Sequence, residues 1–182
     1  ASPAAADRQG LRTGPAQSEE LSGSAIFIGR PTVIEARIER EGLSIKAGVD
    51  FELVNPESDV RYRDYWQSYH EIMARKSVTP DLAKAILRTN TTAIAAVMVH
   101  RGEADSMICG TFGQYQWHLN YIKQVLANKD LNPVGALSLV ILDQGPLFIA
   151  DTHVNIEPTA QQIADTMIAA ARHTRRFGIE PK

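Results

Sequence analysis

Past residue 24, apolar positions in this 182-residue chain alternate between short continuous runs and stretches spaced three and four apart. The first run, AIFIG (25–29), predicts a strand ended by glycine. Pro31 then opens PTVIEARIEREG, whose mixed apolar and charged faces predict a helix stopped at Gly42. DFELVNP (50–56) predicts a second strand, broken by Pro56. Residues 59–75 set Tyr62, Tyr65, Trp66, Tyr69, Ile72 and Met73 at three- and four-residue steps, as an amphipathic helix with an aromatic inner face would. A helix start follows over 79–88, where Thr79 caps, Pro80 takes the first position and Asp81 complements the dipole. TTAIAAVMVHRG (91–102) predicts a helix buried on most sides.

DSMICG (105–110) predicts a strand, leading through a glycine-pinched loop into a helix over 115–127. ALSLVIL (136–142) and PLFIAD (146–151) predict a hairpin turned at DQG. EPTAQQIADTMIAAARHTRRFG (157–178) predicts one long helix that begins at Pro158 and Thr159 and ends at Gly178. This order of elements predicts an α/β fold with a mostly parallel sheet. Residues 1–24, rich in Ala, Gly, Ser and Pro and without periodicity, are expected to be a disordered tail or a non-native extension. The chain stops at IEPK just after a helix that α/β domains usually feed into another strand, so a fragment is expected.

Composition changes this picture little. Hydrophobic residues make up 44% and charged residues 22%, and the net charge of −2 provides no global field for nucleic acid or an acidic membrane. The longest apolar runs are far too short to cross a bilayer, and no apolar signal-peptide core opens the sequence. The single cysteine, Cys109, rules out an intramolecular disulfide within these residues and suits a reducing cytoplasm, where the protein is expected.

Candidate chemistry concentrates on CGTFG (109–113). Its two glycines lie three apart but match neither a dinucleotide fingerprint nor a P-loop, so spacing alone favours a plain strand-to-helix turn over a phosphate cradle. Cys109 with His118 as base lacks a third orienting group, and a lone cysteine flanked by apolar residues is more often a core residue. Histidines 70, 100, 118, 153 and 173 show no metal spacing. Asp143, Asp151, His153 and Glu157 lie close enough in sequence to gather a cation, although turn and cap roles are their default. The basic RHTRRFG (172–178) is what a helix C-terminus attracts through its dipole. No metal site and no covalently bound cofactor are expected.

Several segments resemble the phosphate acetyl/butyryl transferase (phosphotransacetylase) family. They are GEADSMICG (102–110), FIADTHVNIEPTAQQIADTMIAAA (148–171) and RRFGIEPK (175–182), with IGRP (28–31) and VNPE (54–57) fitting the same N-terminal half. The resemblance implies a three-layer α/β fold with helices on both faces of the sheet, like isocitrate and isopropylmalate dehydrogenases, here spanning 25–182 and incomplete at both ends. It implies acetyl exchange between CoA and phosphate, in which the CoA thiolate attacks an acetyl carbonyl. Within the family, FIGRPTVIEARIEREGL, NPESDVRYRDYWQSYHE and RTNTTAIAAVMVHRGEAD look most like the C-terminal domain of hybrid NADP-dependent malic enzymes. That likeness implies a domain that binds acetyl-CoA as a regulator and need not transfer acetyl groups.

Two positions bear on this. Active members carry an arginine in an ELRKHKG-like helix end, aligned here with EIMARKSVT, and another in a TLRPA-like helix, aligned with QWHLNYI. Met73 and Asn120 stand in their places, and neither reproduces the charged planar donor fork of arginine. Arg75, Lys76 and Lys123 are the nearby cations that a compensating role would draw on. The family's remaining catalytic serine, arginine and aspartate belong to its C-terminal half, beyond Lys182. No catalytic residue is therefore assigned; Gly110, Thr111, Gly113 and Asn120 are the expected ligand-binding positions. Three functions stay open: an acetyl-CoA-sensing regulatory domain, a fragment of an active phosphate acetyltransferase, and an oligomerisation module. CoA or acetyl-CoA and further copies of the chain are the expected partners, without nucleic acid or membrane.

Overall fold

A computed structural model describes residues 23–127 and 134–181, so most of the expected tail at 1–24 lies outside the described residues. The chain divides into two compact units, Ala1–Leu126 and Ala127–Lys182. In the first, β1 (Ala25–Ile28), α1 (Pro31–Arg40) and β2 (Phe51–Val54) form a strand–helix–strand unit. β1 and β2 pair in parallel, Ala25 opposite Phe51 and Ile28 opposite Val54. Then come α2 (Tyr62–Met73), a 3₁₀ turn (Ala74–Lys76), α3 (Pro80–Thr89), α4 (Thr91–His100) and α5 (Tyr115–Leu126).

The predicted starts and stops have their physical agents. Thr79 Oγ1 accepts from Leu82 N to cap α3, and Asn90 Oδ1 accepts from Ala93 N to cap α4. Gly42 ends α1 at a φ of 65°. Inside, Val54, Tyr65, Tyr69, Met73, Leu87, Ile94, Val97 and Met98 share one core, with Tyr62, Trp66 and Ile72 packed on its margin. The aromatic face of α2 is thus the centre of the unit. Each tyrosine also finds a polar partner for its hydroxyl: Lys84 O for Tyr62, Glu103 for Tyr65 and Gln124 Oε1 for Tyr69. Such pairing lets a tyrosine bury its ring without an orphaned hydroxyl.

The 3₁₀ turn closes on Ser77, held in the left-handed region at φ 60°. A side chain there costs about 1–2 kcal/mol relative to right-handed backbone, most of which glycine avoids. Ser77→Gly is expected to stabilise the unit by about 0.5–1 kcal/mol, read as a higher denaturant midpoint at unchanged slope.

The predicted strand at 105–110 is not formed; the chain there is irregular. Met107 packs against the core, but Ile108 beside it is 93% exposed. An apolar run becomes a strand only where it pairs with a neighbour's N–H and C=O groups, and this run pairs with neither β1 nor β2. The mostly parallel sheet is correspondingly replaced by one parallel pair and one antiparallel pair.

The antiparallel pair belongs to the second unit: β3 (Leu137–Leu142) and β4 (Gly145–Ala150), turned at Asp143 and Gln144, with Leu142 opposite Gly145. This is the predicted hairpin, with Gly145 supplying the φ of 123°. α6 (Ala160–Arg176) follows, started by a reciprocal capping box in which Thr159 Oγ1 accepts from Gln162 N while Gln162 Oε1 accepts from Thr159 N. Phe177 at its end meets Phe148 of β4 at 5.2 Å between ring centres.

Candidate functional site

The glycine loop runs from α4 to α5 without regular structure, and its shape comes from three features. Gly110 and Gly113 hold φ values of 97° and 94°, a conformation that suits glycine far better than any side chain. Gln114 O then accepts from Trp117 N at 3.0 Å, opening α5. Finally His118, one turn into α5 and only 8% exposed, reaches back to the loop. Its Nε2 lies 2.6 Å from Phe112 O, and its Nδ1 lies 2.8 Å from Thr92 Oγ1 on α4. A carbonyl only accepts, so Nε2–H donates to Phe112 and Nδ1 is left to accept from the threonine hydroxyl. Gly113 passes so close that a Cβ there would stand 3.2 Å from His118 Nε2.

That arrangement removes the dyad weighed from the sequence, because neither imidazole nitrogen is paired with Cys109. The thiol is half-buried, and burial pushes its pKa up, away from a reactive thiolate.

The expected ligand residues fall in two different settings. Gly110, Thr111 and Gly113 are exposed on the loop, and Asn120 is exposed on α5, accepting from Gln116 Nε2 at 3.1 Å. Met73 is elsewhere: at 4% exposure it is part of the core. The two positions aligned with family arginines thus do not share a solvent-facing surface. Of the nearby cations, Arg75 and Lys76 are exposed on the 3₁₀ turn, and Lys123 lies half-buried on α5.

Glu103, in the GEAD stretch, is bound up in an ion network. Arg101 Nε meets it at 2.6 Å, Tyr65 donates to it at 2.8 Å and Arg61 approaches at 3.8 Å. Burial works against its charge, but Arg101 and Tyr65 outweigh that and hold its pKa below the usual range. Arg61 also bridges Asp59 and Glu52. These groups tie β2, α2 and the end of α4 together.

The acidic group weighed as a cation site resolves otherwise. Asp151 Oδ1 accepts from Ala136 N, His153 N and Val154 N, and Oδ2 from Asn155 N and Asn155 Nδ2. Both oxygens are thereby committed to N–H donors, and no cluster of three metal-ligating side chains exists among the described residues. Burial alone would raise this carboxyl's pKa; the donors from Ala136, Val154, Asn155 and His153 instead bring it to about 2. A cleft of about 280 Å³ beside it is lined by Asn155, Pro158, Ile163, Thr166 and Met167.

Sequence reasoning missed the His118 latch, which had no signal, since Thr92 and Phe112 come together only in the fold. The turn role that is the default for Asp151 is the one it has, with the amides of DTHVN as its nest of donors.

A family model described as phosphate acetyl/butaryl transferase matches residues 3–182. The chain belongs to this phosphotransacetylase family. The match begins within the segment that composition assigns to a tail. Among relatives, the chain is 52% identical over 158 residues to the NADP-dependent malic enzyme of Salmonella typhimurium, covering 86% of the chain but 21% of that protein. It is 28% identical over 157 residues to the phosphate acetyltransferase of Corynebacterium glutamicum, covering 86% of the chain and 46% of that protein. A solved structure, the EutD phosphotransacetylase from Staphylococcus aureus, superposes with a TM-score of 0.79 at 19% identity, over 97% of this chain and 52% of that one. The phosphotransacetylase fold is therefore shared, while this chain spans about a fifth of the malic enzymes it matches. No single helix among the described residues is long and apolar enough to cross a membrane.

Proposed function

We propose that this phosphotransacetylase domain binds acetyl-CoA as a regulatory signal for an NADP-dependent malic enzyme and does not transfer acetyl groups. One observation carries the reading. At the two positions aligned with family arginines stand a core methionine and a neutral asparagine, and only the latter faces solvent. A phosphoryl group in transfer needs charged, fork-shaped donors at fixed positions; a ligand that is merely held needs less charge. The loop at Gly110–Gly113 keeps positive φ values at both glycines and stays exposed, so binding survives in this reading where chemistry does not. Identity of 52% to the malic enzyme of Salmonella typhimurium, against 28% to the phosphate acetyltransferase of Corynebacterium glutamicum, supports the malic-enzyme part of this reading. The three-layer, dehydrogenase-like sheet, assembly into homo-oligomers and a cytoplasmic location belong to the same proposal.

Active phosphate acetyl transfer is the second reading, favoured by the family match over nearly the whole chain. Calorimetric titration of the full chain with acetyl-CoA, run beside an acetyl phosphate assay, separates the two. Saturable binding with no acetyl phosphate formed from acetyl-CoA and phosphate is the expected result. Turnover would establish the acetyltransferase, and absence of both binding and turnover would leave a structural, oligomerising role.

A further inference from the structure

We infer that His118 is a positioning residue for the glycine loop, locking the loop to α4 so that its exposed backbone is presented in one conformation. The inference rests on the ligand-binding reading above for its ligand, and on geometry for the latch itself.

The loop has little else to hold it. It lies outside any strand, its residues 110–114 are exposed, and two positive-φ glycines leave its backbone free to move. Against this, one nearly buried imidazole joins Phe112 O on the loop to Thr92 Oγ1 on α4, at 2.6 Å and 2.8 Å. α4 is among the most buried helices described, with Thr92, Ala93, Ile94, Ala96, Val97 and Met98 all buried. The loop is therefore tied to a rigid support through a side chain whose own ring is braced edge-on by Trp117 at 4.9 Å. Fixing a peptide that a ligand must meet removes an ordering cost at binding, so the latch acts on affinity through preorganisation rather than contact. The close approach of Gly113 to Nε2 completes the lock, since a side chain at 113 would push the imidazole off the carbonyl.

The two ring nitrogens have different tasks, which makes the latch testable by side-chain mimicry. A glutamine amide nitrogen can take the place of Nε2 as donor, and an asparagine amide oxygen the place of Nδ1 as acceptor. In the full chain, His118→Gln should keep the Phe112 bond and His118→Asn should lose it. Two readouts apply: chymotryptic cleavage after Phe112, followed by mass spectrometry, and calorimetric binding of acetyl-CoA. His118→Asn is expected to be cleaved about tenfold faster and to bind about tenfold more weakly, the scale of one hydrogen bond. His118→Gln should return both to within about twofold of the parent, and Thr92→Val should fall between the two.

Equal cleavage of parent and His118→Asn would overturn the latch. Equal losses in the Gln and Asn variants, tracking a common fall in unfolding midpoint, would also overturn it, in favour of a merely structural histidine. A loosened loop in His118→Asn with unchanged acetyl-CoA binding would overturn the positioning role. If the parent binds no acetyl-CoA, the functional reading fails by itself, and the cleavage comparison still decides the latch.

Discussion

Replacing Asp151 by alanine is expected to cost the second unit about 2–4 kcal/mol and to free the turn that joins β4 to α6. Its carboxylate accepts from four backbone amides and one side-chain amide, at Ala136, His153, Val154 and Asn155. Removing the acceptor takes the protein partner from the part-buried amides of Ala136, Val154 and Asn155. Asn155 would lose its anchor as well, although its Nδ2 also donates to Val134 O. Asp151→Asn should recover only part of the loss, because one of its two positions then presents N–H groups to N–H groups.

The same group sets a pH response. Its folded pKa, about 2, lies below the unfolded value, so its stabilisation is complete above about pH 5 and drains away as pH falls from there through the folded pKa. Trp and Tyr are absent from residues 127–182, so tryptophan fluorescence is blind to this unit. Amide exchange resolves it. Protection factors at Ala136, Val154 and Asn155 should be flat above about pH 5, decline toward pH 2, and lose that decline in Asp151→Asn. Unchanged protection in Asp151→Ala would show the nest to be dispensable.

Met73→Arg is expected to destabilise the first unit by at least about 3 kcal/mol rather than restore an anion site. Met73 lies in the core with Tyr69, Val78 and Leu87, where a guanidinium would have neither water nor a carboxylate. Asn120→Arg is the contrasting case. It removes one exposed hydrogen bond to Gln116 and should shift stability by no more than about 0.5 kcal/mol. Both Trp66 and Trp117 belong to this unit, so fluorescence-detected denaturation reads each variant directly. A Met73→Arg protein as stable as its parent would mean that the side chain can turn out of the core. It would also reopen the question of a charged pair for phosphate. Asn120→Arg alone is expected to leave acetyl phosphate formation undetectable.

Much of the architecture was legible from local chemistry. Thr79 before Pro80, Asn90 before a run of small apolar residues, and Thr159 three residues ahead of Gln162 announce helices because a short side-chain oxygen can satisfy the first free N–H groups. The spacing of Tyr62, Tyr65, Tyr69 and Met73 announces the buried face of α2 because 3.6 residues complete a turn. The hairpin follows from two apolar runs a turn apart. Family membership, too, was carried by motifs along the chain.

The strand expected at 105–110 is absent for a reason no local pattern contains: a strand exists only in register with a neighbour, and this run pairs with none of the described strands. The latch of Thr92, His118 and Phe112 joins residues 26 and 6 positions apart across two helices and a loop. Met73 and Asn120 look alike in an alignment, as two lost arginines, yet one is core and the other surface. By itself, then, the sequence determined the helices, their caps, the hairpin and the family, all of which rest on contacts a few residues apart or on motif order. Tertiary structure alone decided which histidine holds the glycine loop and whether the run at 105–110 pairs as a strand. Those depend on the packing of distant segments, where burial and the pairing of polar groups are settled.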